Sequence, residues 1–296
     1  MSLLGQAKLL FNRAARPLNL KVDSLAADKA ETARLIALET GGHFTAPVFP
    51  VLSQIERSDP SAILAAIDRS ASRFASFATV PVGGEAFSLD NNCYTTPDAE
   101  VLYAIVQLHR PRLVVEIGDG HSTLLFRQAI TDAGSTTRLV SIDPEPRRNV
   151  ARQADVCVRE QVEKTRSLEW FAQLRADDIL FIDSSHDIQS GNDVLFLFLK
   201  VLPTLAPGVI VHIHDIFLPY EYPRDWVVRE RWNWGEQYLV QALLQGSSEF
   251  EVLWAGHCLQ RTRPDFSGHF PQWRSFDARS LWLRRTPTAN PPRLAK

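Results

Sequence analysis

From residue 113 onward the chain alternates short, predominantly apolar runs with stretches of helical periodicity, and this alternation restricts it to very few folds. The apolar runs lie at 113–117, 139–142, 156–158, 179–182, 209–213, 250–254 and 281–283. Helical stretches fall between them at 122–132, 146–151, 167–174, 193–202 and 235–244. A short run without polar alternation is what a strand needs when both faces of its sheet are covered. Strands separated by helices predict a Rossmann-like α/β fold, with a mostly parallel sheet and helices on both faces. The last two runs are separated by residues 256–277, which show no clear helix. They are expected as an antiparallel finishing hairpin with an extended insertion.

Before this pattern begins, residues 1–95 read as a helical N-terminal extension that covers a face of the sheet or forms a subunit contact, the latter implying a homo-oligomer. Residues 96–285 form the main domain and 286–296 a flexible tail. With 296 residues and 45% hydrophobic content, the chain can bury a full core. A formal net charge of −2 gives no global field toward nucleic acid, and none is expected as a partner. The charge is uneven, however: Lys8, Arg13, Arg16 and Lys21 stand in residues 1–22 without an acid. There Leu3, Leu4, Leu9, Leu10 and Phe11 alternate with these cations in an amphipathic stretch. A helix packed on the main domain is the expectation, with peripheral membrane contact as the alternative. Cys93, Cys157 and Cys258 are too few and scattered for a disulfide framework or a zinc pair, so a reducing, cytoplasmic setting is expected. No apolar run approaches the roughly 18–20 residues of a membrane span, and no secretory signal is read at the start.

The most informative turn follows the first apolar run. Gly118 and Gly120 let backbone approach a ligand closely, just before a helix whose first N–H groups are unpaired. The third glycine of a dinucleotide fingerprint would stand where the chain has Thr123, so the NAD(P) pattern lacks a required feature. Glu116, inside the strand end, is a costly burial unless it accepts hydrogen bonds or faces a cation. A sulfonium cofactor with an amino group offers both. The alternative is that Glu116 caps neighbouring amides. Asp143, at the end of the second run, is placed to accept hydrogen bonds from two ribose hydroxyls, or serves as a turn residue before Pro144.

Val115-Glu116-Ile117-Gly118-Asp119-Gly120-His121-Ser122-Thr123 followed by Asp143 resembles motifs I and II of class I S-adenosylmethionine-dependent methyltransferases. The resemblance continues through Phe181-Ile182-Asp183-Ser184-Ser185-His186 and the stretch from Leu205 to Asp215, covering roughly residues 93–255. It implies a seven-stranded sheet of order 3-2-1-4-5-7-6 with an antiparallel seventh strand. It also implies S-adenosylmethionine as cofactor, held by Glu116, Gly118, Gly120, Ser122, Asp143 and Asp183, with the adenine beside Glu160, Gln161 and Val162.

Ligands of open α/β sheets sit at the carboxyl ends of the strands. There Asp183 and His186 follow the fourth run, while His214 and Asp215 follow the fifth. In one mechanism His186 or His214 is a general base, with Asp183 and Asp215 also acting on the acceptor. In the other, Asp183, His214 and Asp215 hold a divalent metal such as Mg²⁺ that orients a hydroxyl and lowers its pKa, as in small-molecule and sugar O-methyltransferases. His214 departs from the oxygen ligands of those enzymes, and a hard ion prefers oxygen. In a further alternative, His186 and His214 brace the loop. The aromatic stretches 217–226 and 232–238 fit an acceptor-binding wall, or equally an interface or satellite core. The resulting expectation is methyl transfer to a hydroxyl of a small-molecule or glycan acceptor. The alternatives are a non-catalytic scaffold that keeps the pocket and an NAD(P)-dependent oxidoreductase.

Overall fold

Strands whose side chains alternate between two covered faces need two apolar layers, and the chain supplies both. The computed structural model describes residues 3–21, 25–79, 86–146, 152–164, 168–273 and 276–287. Its helices are α1 (Leu3–Ala15), α2 (Leu25–Thr40), α3 (Ser53–Glu56), α4 (Ser61–Ala75), α5 (Asp98–His109), α6 (His121–Asp132), α7 (Leu168–Phe171), α8 (Asp193–Phe196), α9 (Glu236–Leu244) and α10 (Gly256–Thr262). The strands are β1 (Leu113–Ile117), β2 (Arg138–Ile142), β3 (Val156–Val158), β4 (Ile179–Ile182), β5 (Ile210–Ile213), β6 (Phe250–Ala255) and β7 (Leu281–Arg285).

The seven strands form one sheet of order β3-β2-β1-β4-β5-β7-β6. β1 to β5 pair in parallel, whereas β7 runs antiparallel between β5 and β6. The expected Rossmann-like architecture is borne out, including the late hairpin. One local expectation is corrected: residues 256–277 contain α10 and a short 3-10 turn at Phe266–His269. α10 has only seven residues, too few for a helical period to stand out in sequence. Its Gly256, His257 and Cys258 are buried, so tertiary packing fixes it. The helix expected at 193–202 begins as α8 and continues as a wider π-type turn at Leu197–Val201. The one expected at 146–151 falls almost wholly outside the described residues, as does most of the tail.

The chain divides into two compact units. One comprises Met1–Ala46 and Pro223–Trp232, and its described parts are α1, α2 and the turn at Asp225–Arg229. There Arg224 donates to Glu39 at 2.6 Å and Arg231 to Thr32 at 2.7 Å. The other unit, Pro47–Tyr222 with Asn233–Lys296, holds the whole sheet. In it Val115, Leu180, Ile182, Val211 and Ile213 turn to a layer containing Leu197, Val201, Val240 and Leu244. Their strand neighbours Val114, Ile179, Phe181 and Ile210 turn to Leu64, Ile67, Leu102, Ile105, Leu125 and Phe126 on α4, α5 and α6. This period of two places Glu116 on the same face as Val114, inside an apolar layer.

β1 and β4 are neighbours although two further strands, β2 and β3, intervene in the chain, so their carboxyl ends open onto the crevice where strand order reverses. The backbones nearly touch there. Ile117 O accepts from Asp183 N at 3.0 Å, and Gly118 N donates to Ile142 O at 3.1 Å. Gly118 has φ +79°, and a Cβ built on it would lie 1.9 Å from Asp183 O.

Leu180→Ala, in the fully buried middle of β4, is expected to cost about 2–5 kcal/mol of stability in denaturant unfolding. Leu199→Ala, at a site 65% exposed, should stay within about 0.5 kcal/mol of the parent. Gly118→Ala should cost about 1–3 kcal/mol of stability in the same unfolding assay, since both its φ and the space beside Asp183 oppose a side chain.

Candidate active site

The loop after β1 is organised by Thr123, three residues into the helix that follows Gly120. Its Oγ1 accepts from Gly120 N at 3.0 Å and donates to Glu116 Oε2 at 2.7 Å. Thus the residue that breaks the dinucleotide glycine pattern ties the turn to the buried carboxylate. Burial pushes the Glu116 carboxyl up to about 8, against hydrogen bonds from Ser122 and Thr123 that lower it. Glu116 Oε1 is buried and has no hydrogen-bond partner. Such an orphaned acceptor suits a ligand ammonium. Gly120 has nothing within 4 Å of the Cβ it lacks, so the loop presents open space there.

Asp143 lies partly exposed on the neighbouring strand end. Its Oδ2 accepts from Asp119 N at 3.0 Å and its Oδ1 from Glu145 N at 2.7 Å. The turn role is therefore realised, and each oxygen keeps further lone-pair capacity for a ribose hydroxyl. Asp119, beside it, accepts from Ser141 Oγ at 3.0 Å, and burial lifts its carboxyl to about 6. Of the residues expected near an adenine, Val162 is buried whereas Glu160 and Gln161 are exposed.

Past Gly118, the ends of β4 and β5 bring together all four ionisable residues singled out from the sequence. Asp183 Oδ1 lies 3.4 Å from His186 Nε2 and 3.5 Å from His214 Nδ1. Asp215 Oδ2 lies 3.6 Å from the same His186 atom and 3.7 Å from the same His214 atom. Two carboxylates and two imidazoles thus alternate around one small volume. His186 and Asp215 both adopt positive φ, 61° and 56°, the backbone turns that aim these side chains inward.

Sequence reasoning missed the groups that hold this cluster. His186 Nδ1 is 2.8 Å from Glu236 Oε2 at the start of α9, a carboxylate with no exposed surface. His186 O accepts from Gly235 N at 2.9 Å, and Trp234 packs on the imidazole at 4.2 Å between ring centroids. Asp98, at the start of α5, lies 3.8 Å from His214 Nε2 and accepts from Ser280 N and Oγ. Arg279 Nη1 donates to Asp215 Oδ1 at 3.0 Å. These partners lie outside the motifs, Asp98 before the first and Glu236 and Arg279 after the last, and only the aromatic stretch 232–238 pointed toward one of them.

The electrostatics follow from this geometry. Burial pushes His186 down, but hydrogen bonds with Asp183 and Glu236 and the charge of Asp215 outweigh it, leaving the imidazole well above its ordinary range. Burial likewise opposes protonation of His214, yet the charges of Asp215 and Asp183 raise it to about 10. Burial lifts the Asp183 carboxyl, but the charge of His214 and the hydrogen bond with His186 hold it well below the usual range. Burial pushes Glu236 up. His212, stacked on Phe181 at 4.0 Å, is pushed well down by burial and by the charge of His214, and it belongs to the core.

The ligand atoms of Asp183, His186 and Asp215 lie within 4.8 Å of one another, a spacing that could hold a metal ion. His214, the histidine of the sequence-based metal set, faces both carboxylates at nearly the same distances as His186. The aromatic stretches divide. Phe217 and Tyr222 are core residues, with Tyr222 Oη accepting from Gln237 N at 3.0 Å, while Trp234 borders the cluster. Trp226 and Trp232 pack on each other at 4.9 Å in the unit that holds α2.

Residues 115–216 match the family model described as a methyltransferase domain. A comparison with curated proteins finds no match. Among solved structures, the SAH-bound Podospora anserina methyltransferase PaMTH1 aligns at 15% identity, covering 90% of this chain and 100% of that one with a TM-score of 0.41. The O-methyltransferase from Bacillus cereus in complex with SAH aligns at 13%, covering 86% and 100% with a TM-score of 0.42. The plantazolicin methyltransferase BpumL in complex with SAH aligns at 10%, covering 87% and 100% with a TM-score of 0.37. The family match runs from within β1 past the end of β5 and includes every motif from Glu116 to Asp215. Over that stretch the expected resemblance to methyltransferases is borne out.

Proposed function

We propose that this chain transfers a methyl group from S-adenosylmethionine to a hydroxyl oxygen of a small molecule or glycan precursor in the reducing cytoplasm. The observation that carries the reading is the cluster Asp183, His186, His214 and Asp215. Asp183 directly abuts Gly118 of the glycine loop, so the two halves of the site share one backbone contact. When bound, the cofactor supplies an electrophilic methyl on a positively charged sulfur. Glu116 binds its amino group through the orphaned Oε1, Gly118 and Gly120 leave room for it, and Ser122, Asp143 and Asp183 complete its contacts. An oxygen acceptor must lose a proton as it attacks, and the cluster has groups to take it.

His186 is the proton acceptor in this reading. Glu236 fixes its orientation through Nδ1 and leaves Nε2 facing the reaction end. The same carboxylates hold a proton on the free imidazole. Positive charge brought beside Asp183 and Asp215 offsets them and returns His186 toward the neutral, accepting form. A second reading gives that charge to a divalent ion held by Asp183 and Asp215 with His186 or His214, and the 4.8 Å grouping favours it. Such an ion would orient the acceptor hydroxyl and acidify it. Mixed imidazole and carboxylate donors suit Mn²⁺, Fe²⁺, Co²⁺ or Zn²⁺ better than Mg²⁺.

Incubation with S-adenosylmethionine and a panel of hydroxylated acceptors, followed by mass spectrometry, should yield S-adenosylhomocysteine and a methyl ether. Cofactor binding without turnover across the panel would favour the scaffold alternative, and NAD binding without S-adenosylmethionine affinity the oxidoreductase.

Glu116→Gln should weaken S-adenosylmethionine binding by about ten- to a hundred-fold in calorimetry, the range for a hydrogen bond to a charged group. Because the free carboxyl titrates at about 8, binding an ammonium there must displace its proton below that pH. Affinity in the parent should therefore rise with pH up to about 8, and in Glu116→Gln that rise should vanish. His186→Ala should lower kcat by about 10²–10⁴-fold with cofactor affinity unchanged. Glu236→Gln removes an anion that raises His186, so the rising limb of the pH–kcat profile should move to lower pH. Chelator treatment followed by readdition of Mn²⁺, Zn²⁺ or Mg²⁺ tests the metal. Activity indifferent to chelation would leave the histidine base alone.

A further inference from the structure

α1 carries Ala7, Leu10, Phe11 and Ala14 at the i, i+3, i+4, i+7 spacing of one helical stripe, and Leu18 continues it into the turn Arg16–Leu18. Within the described residues of its own unit this stripe is exposed: Leu10 is 70% exposed, Phe11 53% and Leu18 71%. An apolar helix stripe that is packed against protein looks different in this chain. α4 buries Ile63, Leu64, Ile67 and Phe74 to 5% exposure or less. An exposed stripe of this size is unfavourable in water and marks an interaction surface.

The charge identifies what lies against it. Lys8, Arg13, Arg16 and Lys21 accompany the stripe, and residues 1–22 hold no acid. A second copy laid stripe to stripe would bring cations against cations. An anionic lipid surface satisfies both features, taking the apolar side chains among its acyl chains and the cations at its headgroups. The helix has 13 residues, short of the roughly 20 needed to span, and no helix among the described residues is long and apolar enough to cross a membrane. We propose that α1 docks this protein peripherally, parallel to the plane of an anionic membrane. The site chemistry is independent of this, since the α1 unit contributes none of its residues.

The test is co-sedimentation of the full chain with phosphatidylcholine vesicles, with and without phosphatidylglycerol, alongside Leu10→Glu/Phe11→Glu and Arg13→Glu/Arg16→Glu. All four side chains are exposed, so both variants should melt like the parent. The parent should pellet with the anionic vesicles alone and be released by salt. Each cation near the surface contributes roughly five-fold to partitioning, so reversing two should weaken it more than about ten-fold. The apolar variant should lose binding altogether. Equal binding to neutral vesicles, or no binding to either, would overturn the proposal. So would a self-association seen by sedimentation equilibrium that Leu10→Glu/Phe11→Glu abolishes while vesicles are ignored, because the occupant would then be a second copy.

Discussion

The backbone contact between Gly118 and Asp183 ties the two ends of this site together. β1 and β4 are adjacent at the point where strand order reverses, and the loop leaving β1 can pass only because Gly118 has no side chain to meet Asp183 O. The hydrogen bonds Gly118 to Ile142 and Asp183 to Ile117 lock three strand ends at one level. The glycine loop on one side and the side chains that follow Asp183 on the other are registered through that contact. Without it the loop of Glu116 and the cluster of His186 would be two separate features of one sheet.

Around this contact the sheet buries charge in a way that a core alone would not tolerate. Glu116 sits in an apolar layer with one oxygen bonded to Thr123 and the other unpartnered. Asp183, His186, His214 and Asp215 are packed so that each carboxylate faces two imidazoles, and Glu236, Asp98 and Arg279 neutralise the far sides. Buried ions persist only when paired, and pairing this complete raises both histidines while depressing Asp183. The result is a site whose protonation responds to any cation brought into it, which is the property a methyl-donor sulfonium or a divalent ion would exploit. Strained φ values at His186 and Asp215 indicate that the chain holds these side chains where local preference would not.

All seven strands were legible because a sheet covered on both faces leaves predominantly apolar runs, even at the half-buried edge strands β3 and β6. The glycine loop was legible because backbone proximity to a ligand demands particular residues in a fixed order. α10 was not, since seven residues give too little periodicity, nor was the interruption of α8 by a π-type turn. The four residues at the ends of β4 and β5 could be named from sequence, because strand ends on a parallel sheet converge. Their supports could not: Glu236 reaches His186 across fifty positions, and Asp98 reaches Ser280 across 182.

By itself, then, the sequence determined the sheet, the glycine turn and the chemistry available at its mouth, because these depend on short-range patterns and on the near-universal geometry of parallel strands. Tertiary structure alone decided that Thr123 serves Glu116, that Glu236 orients His186, and that both histidines face both aspartates. It also decided that Leu10, Phe11 and Leu18 lie exposed rather than packed. Those outcomes depend on which distant segments the folded chain lays side by side, and no local pattern carries that information.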